Sequence, residues 1–302
     1  MILSIGEILF DVFPGYKRLG GAPFNFAYHM KQLGLPSRFI SRVGNDAEGK
    51  IIFEKLQQYG FEPDCLQMDD KFETGKVRVG VDENGKPDFN ILPNTAYDNL
   101  EFNDSIQVML SGTVDLIYIG SLAQRSRKGF TTIQHILNEK RPQTKLLYDV
   151  NLRPRCYSRR IVTESLKHTD ILKLNDDELH TIKDMLGFKK KEEAFVEFLR
   201  NEFSIEMVAL TKGEKGSEIY SKDQHTVYRS RKLNNIVDTV GAGDGFASIL
   251  AIGYLLDWFP HKILSVATSF AEEICKVEGA ILLDNRFYEH IKVMIEQPEN
   301  VT

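Results

Sequence analysis

Asp238-Thr239-Val240-Gly241-Ala242-Gly243-Asp244-Gly245-Phe246 runs directly into an apolar, helix-like stretch from Ala247 to Leu256. Gly241 and Gly243 remove the Cβ atoms that would hold an anion away from the backbone, and the first turn of the following helix leaves N–H groups without intrahelical partners. Those donors, with the positive end of the helix dipole, suit phosphate oxygens. Asp244 is the odd residue in such a cradle. A carboxylate beside an anion site weakens binding unless it has chemistry to perform, and its natural task is that of a general base. The bland alternative is a glycine-rich capping turn. What decides between them lies outward from these nine residues.

The stretch resembles the C-terminal signature, Asp-Thr-x-Gly-Ala-Gly-Asp-x-Phe, of the ribokinase-like, or PfkB, family of carbohydrate kinases. The N-terminal signature of that family is present in the expected order: Gly20-Gly21-Ala22-Pro23-Phe24-Asn25, Leu33-Gly34, and Gly44-Asn45-Asp46-Ala47-Glu48-Gly49. Two signatures at opposite ends of one chain extend the resemblance over nearly its whole length. It implies an α/β fold, a ribokinase-like three-layer sandwich with a mostly parallel central sheet and a small β lid. Gly6-Glu7-Ile8-Leu9-Phe10-Asp11, the Gly-Gly-Ala-Pro-x-Asn element and Thr74-Gly75-Lys76-Val77-Arg78-Val79 are similar to the fructokinase branch.

Composition agrees with one kinase domain over residues 1–302. A chain of 302 residues reaches the size at which a large α/β domain buries a full core. The formal charge of −5, with no basic block, argues against nucleic-acid and anionic-membrane partners. Cys65, Cys156 and Cys275 form no CxxC pair and no disulfide framework, so they read as reduced thiols. Glu7 and Asp11 interrupt the apolar N-terminus, no later run approaches a membrane span, and a cytoplasmic protein is expected.

Short β-branched or apolar runs alternate with helical periodicity, the pattern of a parallel sheet wrapped by helices. Strands are predicted over Ile2 to Ile5, Arg38 to Val43, Leu116 to Ile119, Lys145 to Asp149, Ile171 to Leu174 and Met207 to Thr211. Helices are predicted near Phe24 to Leu33, Glu48 to Tyr59, Lys128 to Glu139, Asp176 to Leu186, Glu193 to Glu202, Ala242 to Leu256 and Lys262 to Val277. Residues 74–91 break the alternation and read as two strands around Asp82-Glu83-Asn84-Gly85-Lys86, an Asn-Gly hairpin. As an isolated element this is a solvated edge hairpin. The resemblance makes it a lid over a sugar, joined by residues 11–20 and capable of pairing with the lid of a second subunit.

Candidate ligand residues follow the predicted strand ends, where open α/β sheets bind ligands. Asp11 is expected near the end of the first strand, where a carboxylate accepts bonds from neighbouring hydroxyls. Asn25, just inside a helix start, both accepts and donates. Taken alone these are a strand-end turn and a helix cap; the resemblance makes them, with Gly21, substrate-binding residues. Tyr148-Asp149-Val150-Asn151-Leu152-Arg153 resembles the Asp-x-Asn-x-Arg element of fructokinases, with Arg153 a fixed positive fork and Asp149 and Asn151 turn formers. Asn175-Asp176-Asp177-Glu178 matches the family's Asn-x-x-Glu, which assigns Glu178 to Mg²⁺ through water; the same residues are also a good helix start. Thr211-Lys212-Gly213-Glu214-Lys215-Gly216 resembles the nucleotide turn, placing Thr211, Gly213 and Gly216 at ATP. Asp238 and Val240, and less directly Ala280, occupy places that bind K⁺ in many relatives, although a carboxylate ahead of the cradle equally caps a turn.

Two decoys are set aside. Gly44 to Lys50 fits seven positions of a Walker A loop, but Ile51 stands where Ser or Thr would hold magnesium, and Asp46 and Glu48 would repel phosphates. The seven histidines form no HExxH or close pair, so no zinc site is expected. The resemblance then implies transfer of the γ-phosphoryl group of Mg²⁺·ATP to a sugar hydroxyl, with Asp244 as base and Gly241, Ala242 and Gly243 holding the transferring group. Kinases of 2-keto-3-deoxygluconate, ribose or nucleosides share the frame. A regulator that binds sugar or nucleotide without turnover is disfavoured by the intact base and cradle, and a dinucleotide oxidoreductase by the lack of GxGxxG after the first strand.

Overall fold

Strand β1 (Ile2–Ile5) is buried along its whole length, and its alternate side chains feed two separate hydrophobic clusters, Ile2 on one face and Leu3 and Ile5 on the other. Burial on both faces is why the central strands are apolar without alternation. In this computed structural model, which describes residues 1–81, 87–222, 224–230 and 235–296, β1 is followed by β2 (Leu9–Phe13), β3 (Tyr16–Gly20), α1 (Ala22–Gln32), β4 (Ser37–Gly44), α2 (Ala47–Gln58), β5 (Leu66–Asp69), β6 (Gly75–Val81) and β7 (Pro87–Ile91). Next come α3 (Asp104–Ser111), β8 (Leu116–Ile119), α4 (Arg127–Glu139), β9 (Lys145–Asp149), α5 (Arg159–Leu166), β10 (Ile171–Asn175), α6 (Asp176–Met185) and α7 (Glu192–Phe203). The chain closes with β11 (Met207–Thr211), β12 (Ser217–Tyr220), β13 (His225–Tyr228), α8 (Ala242–Leu255), α9 (Pro260–Ile274) and α10 (Asn285–Glu296).

The large sheet has the order β13-β12-β11-β10-β9-β8-β1-β4-β5, parallel except at β12 and β13. Side chains of α1, α2, α8, α9 and α10 meet one face, and those of α3 to α7 meet the other. The result is the three-layer α/β sandwich expected from the sequence. All six predicted strands and seven predicted helices are present, with ends shifted by up to three residues. Helix α9 starts at Pro260, ahead of the predicted Lys262, because proline is suited to a first helical turn.

The second sheet has the order β3-β2-β6-β7, with β2 parallel to β6. The predicted hairpin is present as β6 and β7, while its turn, residues 82–86, lies outside the described residues. Residues 11–20 do join it. One expectation is corrected: Asp11 is not near the end of the first strand, because β1 stops at Ile5 and Asp11 sits in the middle of β2. Gly6 turns the chain at φ 154, and a Cβ there would approach Pro23 Cγ to 2.5 Å. The carboxylate therefore belongs to the small sheet.

Candidate active site

Helix α8 begins at Ala242 after Gly241, whose φ of 83 is accessible to glycine without strain. A Cβ at Gly241 would come to 2.5 Å from Ala280 Cα, so this glycine also lets two loops touch. No side chain caps the helix. Ala242 donates its N–H to the Thr239 carbonyl at 3.4 Å, and the Gly243 and Asp244 N–H groups are left without a side-chain cap at the positive end of the helix dipole. Asp238 stabilises the approach: Oδ1 accepts the Val240 N–H at 3.1 Å, and Oδ2 accepts the Gly279 N–H at 3.1 Å and Arg18 Nη1 at 3.4 Å. This is the turn-capping role left open above.

Asp244, in that first turn, accepts a bond from Asn25 Nδ2 at 2.7 Å. Burial, then the charge of Asp149, push its carboxyl up to about 6, against the Asn25 bond, Lys173 and Arg153. Sequence reasoning missed Lys173. It lies near the end of β10, buried, with Nζ 2.8 and 2.9 Å from the two oxygens of Asp149. Tyr118 donates its hydroxyl to the same carboxylate at 3.0 Å. Burial opposes the Lys173 charge, but Asp149, Glu178 and Asp244 together hold its pKa above the ordinary value. A Cβ on Gly243 would stand 3.4 Å from Nζ, so the ammonium reaches the wall of the cradle. The available signal was a lysine inside an otherwise apolar strand, Ile171-Leu172-Lys173-Leu174.

On the opposite side, β2 and β3 place Asp11 directly across from Arg18. Burial pushes the Asp11 carboxyl up to about 6, against Arg153 and Arg18, with Asp238 adding to the rise. Arg18 is a second arginine of this region that the sequence reading did not identify. Its charge is already met by Asp238 and by Glu278, which accepts from Nη2. Gly21, at φ 119, lets the start of α1 close onto the Glu7 carbonyl, which would be 2.5 Å from a Cβ. Arg153 is exposed on the loop after β9, and its charge acts on Asp11, Glu7 and Asp244.

Asn175 and Glu178 form a reciprocal capping box at the start of α6. Glu178 Oε2 accepts the Asn175 N–H at 2.8 Å and Oε1 accepts the Leu152 N–H at 3.0 Å, which ties α6 to the loop carrying Arg153. Burial raises its pKa above the ordinary carboxylate value, against Lys173. Thr211 ends β11 beside Asn175, its partner in register. Gly213 has φ 55, and Gly216 has φ 109 in a position where a Cβ would overlap the Tyr228 carbonyl. Ahead of α8 and after α9 the chain exposes Ile236, Val237 and Val277, and Val237 donates its N–H to the Cys275 carbonyl at 2.9 Å, which brings the two loops together. This apolar shelf was not read from the sequence, since isolated valines in a loop carry no periodic signal.

The Walker-like segment is structural. Asp46 caps α2 through the Gly49 N–H at 2.8 Å and accepts from the Thr74 N–H and hydroxyl at 2.8 and 2.7 Å. Cys65, Cys156 and Cys275 are free and buried. Among the described residues no group of three His, Cys, Asp or Glu could hold a metal by itself, and no helix is long and apolar enough to cross a membrane.

The family model described as pfkB family carbohydrate kinase matches residues 12–286. The chain is 28% identical over 272 residues to the sugar kinase PH1459 of Pyrococcus horikoshii, covering 84% of this chain and 83% of that one. It is 26% identical over 298 residues to an ATP-dependent 6-phosphofructokinase of Thermoanaerobacterium thermosaccharolyticum (93% and 89% covered). It is likewise 26% identical over 270 residues to fructokinase-1 of Zea mays (83% and 81%). The solved structure of PH1459 in complex with ATP superposes with a TM-score of 0.80 at 25% identity, covering 96% of this chain and 100% of that one. With the cradle, the carboxylate in its first turn and both signatures in place, the chain belongs to the pfkB family and is an ATP-dependent carbohydrate kinase.

Proposed function

We propose that this enzyme phosphorylates a hydroxyl of a neutral ketohexose, D-fructose in the first place. The observation that carries the reading is the Asn25 to Asp244 bond, which joins a hydroxyl-binding side chain to a carboxylate at the mouth of an anion cradle. Asp244 accepts the proton of the attacking hydroxyl. The N–H groups of the Gly241 to Asp244 turn, with Lys173 behind Gly243, stabilise the charge on the transferring phosphoryl group. Asn25 Oδ1, buried and without a partner, accepts a sugar hydroxyl, and Asp11 and Arg153 hold others from the sides. The four-stranded sheet acts as the lid over them and offers its edge to a second subunit.

ATP lies along the ends of β10 and β11, its phosphates toward the cradle and its base on the Ile236, Val237 and Val277 shelf. Thr211, Gly213 and Gly216 shape the turn beneath it. Mg²⁺ neutralises charge on the phosphates when bound with ATP. Glu178 suits a contact through water, since each of its oxygens keeps a lone pair beyond the backbone bond it accepts. We also place K⁺ at the touching loops of Asp238, Val240 and Ala280, and the enzyme in the cytoplasm. Unequal rates in potassium, sodium and tetramethylammonium salts are expected; equal rates exclude the monovalent site.

Neutral acceptors are favoured because the region holds Asp11, Asp244 and Glu7, while Arg18 is already matched by two carboxylates. An acid or phosphate on the acceptor would need an uncommitted cation beyond Arg153. The test is a coupled ADP-release assay over D-fructose, fructose 6-phosphate, ribose, 2-keto-3-deoxygluconate and adenosine. D-fructose is expected to give the highest kcat/KM. A higher value for fructose 6-phosphate would favour the activity named for the 6-phosphofructokinase relative, and no turnover with any acceptor would favour a binding regulator.

A further inference from the structure

Glu7 lies in the link between β1 and β2, at the junction of the large sheet and the lid. It is 3% exposed, and its Oε2 is buried with no hydrogen-bond partner. The carboxylate accepts a bond from its own backbone N–H, but that leaves Oε2 bare, and a buried ionised carboxylate so incompletely partnered is disfavoured, whereas a protonated one is an ordinary donor and acceptor. No structural task explains the side chain: it caps no helix, and no cation forms an ion pair with it among the described residues. The groups whose fields act on it come from five segments: Arg153 after β9, Asp244 in α8, Arg125 after β8, and the phenols of Tyr97 before α3 and Tyr118 in β8. The start of α1, at Gly21, packs on its backbone. Two of these neighbours, Arg153 and Asp244, flank the acceptor side of the site.

We propose that Glu7 is a sugar-positioning residue, its free Oε2 forming a hydrogen bond with an oxygen of the acceptor beside Asp244 and Arg153. This rests on the sugar reading of the site but not on which sugar it is. Burial pushes the Glu7 carboxyl up to about 7, against the bond from its own backbone N–H, Arg153 and Arg125 and reinforced by Asp244, so the acid form that donates prevails below neutrality. Ionisation above neutrality puts a second negative charge beside Asp244 and withdraws the donor. Sugar affinity should therefore fall on the alkaline side.

The experiment is steady-state kinetics between pH 5.5 and 9 with the best acceptor of the panel, for the wild type, Glu7→Ala and Glu7→Gln. Glu7→Ala should raise KM for the sugar by about 10- to 100-fold and leave KM for ATP nearly unchanged. Glu7→Gln, which mimics the acid form, should recover most of that loss and flatten the alkaline fall in kcat/KM. Equal sugar KM in wild type and Glu7→Ala overturns the proposal, as does an alkaline fall that persists in Glu7→Gln. If Glu7→Ala fails to fold, the Glu7→Gln profile decides alone. If the best acceptor is not D-fructose, the fructose assignment fails while the same three profiles still judge Glu7.

Discussion

Asn25 Nδ2 donates to Asp244 Oδ2 across 2.7 Å, so the first turns of α1 and α8 meet through one hydrogen bond. An amide that donates to a carboxylate favours its ionised form. Asn25 thus orients the Asp244 carboxylate, and its own Oδ1 is left buried without a partner.

Asp244→Asn should keep the fold and ligand binding while lowering kcat by about 10²- to 10⁴-fold, the usual contribution of a positioned general base. Single-turnover phosphoryl transfer measures it directly. Near-normal kcat would remove Asp244 from the mechanism.

The same carboxylate sets the acid limb. Asp244 must be ionised to accept a proton, and its carboxyl is pushed up to about 6. The rate should therefore rise as pH rises through about 6 and level off above it. A kcat flat from pH 5 to 7, with the protein still folded, contradicts this assignment.

Asp11→Ala should raise KM for the sugar much more than KM for ATP, because Asp11 belongs to the small sheet and not to the strand ends β10 and β11 proposed to carry ATP. Equal changes in both constants would mean that the substitution disturbs closure in general.

Lys50 is exposed and follows a helix cap, so Lys50→Ala should leave turnover almost unchanged. Asp46→Ala, which removes the cap and two bonds to Thr74, should lower stability by about 1–2 kcal/mol or more. Loss of activity in Lys50→Ala without unfolding would restore a phosphate role for that loop.

His29 is buried between α1 and α10, with Nδ1 2.9 Å from the Tyr288 hydroxyl, and burial lowers its pKa to about 3. The unfolded chain therefore binds the proton that the folded one refuses. Its contribution is absent above about pH 6.5 and destabilising below it, by about 1.4 kcal/mol per pH unit until the folded value is reached. Denaturant midpoints from pH 7 to 5 should fall more steeply in wild type than in His29→Gln; matching slopes would exclude His29 as a source.

The parallel core was legible because its strands are buried on both faces and appear as uninterrupted apolar runs. Short edge elements were not. Strand β13, His225–Tyr228, is only half covered and lacks that signature, and α5 is a two-turn helix whose one start signal, the Ser158 cap on the Ile161 N–H, went unread. Within the site, glycines and acids were legible because turns and cradles require them locally. Arg18 was not, since its partner Asp238 lies far away in sequence, and Lys173 offered only the oddity of a lysine in an apolar strand, with nothing local to name Asp149 as its partner. The place of Asp11 in the small sheet was hidden for a simpler reason: Glu7 and Ile8 carry the chain from one sheet to another within an apolar run.

The pair that opens this Discussion is separated by 219 positions. Closing so long a loop is entropically expensive, and topologies rich in such contacts fold slowly. Helix α1 leaves the ribosome early, yet its polar end finds its partner only after α8 has been synthesised and docked. A nascent or truncated chain that stops before α8 consequently holds Asn25 without Asp244 and lacks the glycine turn that opens α8. Catalytic competence arrives with the last part of the chain, and denaturant refolding should restore sugar phosphorylation later than it restores the helical signal of the earlier segments.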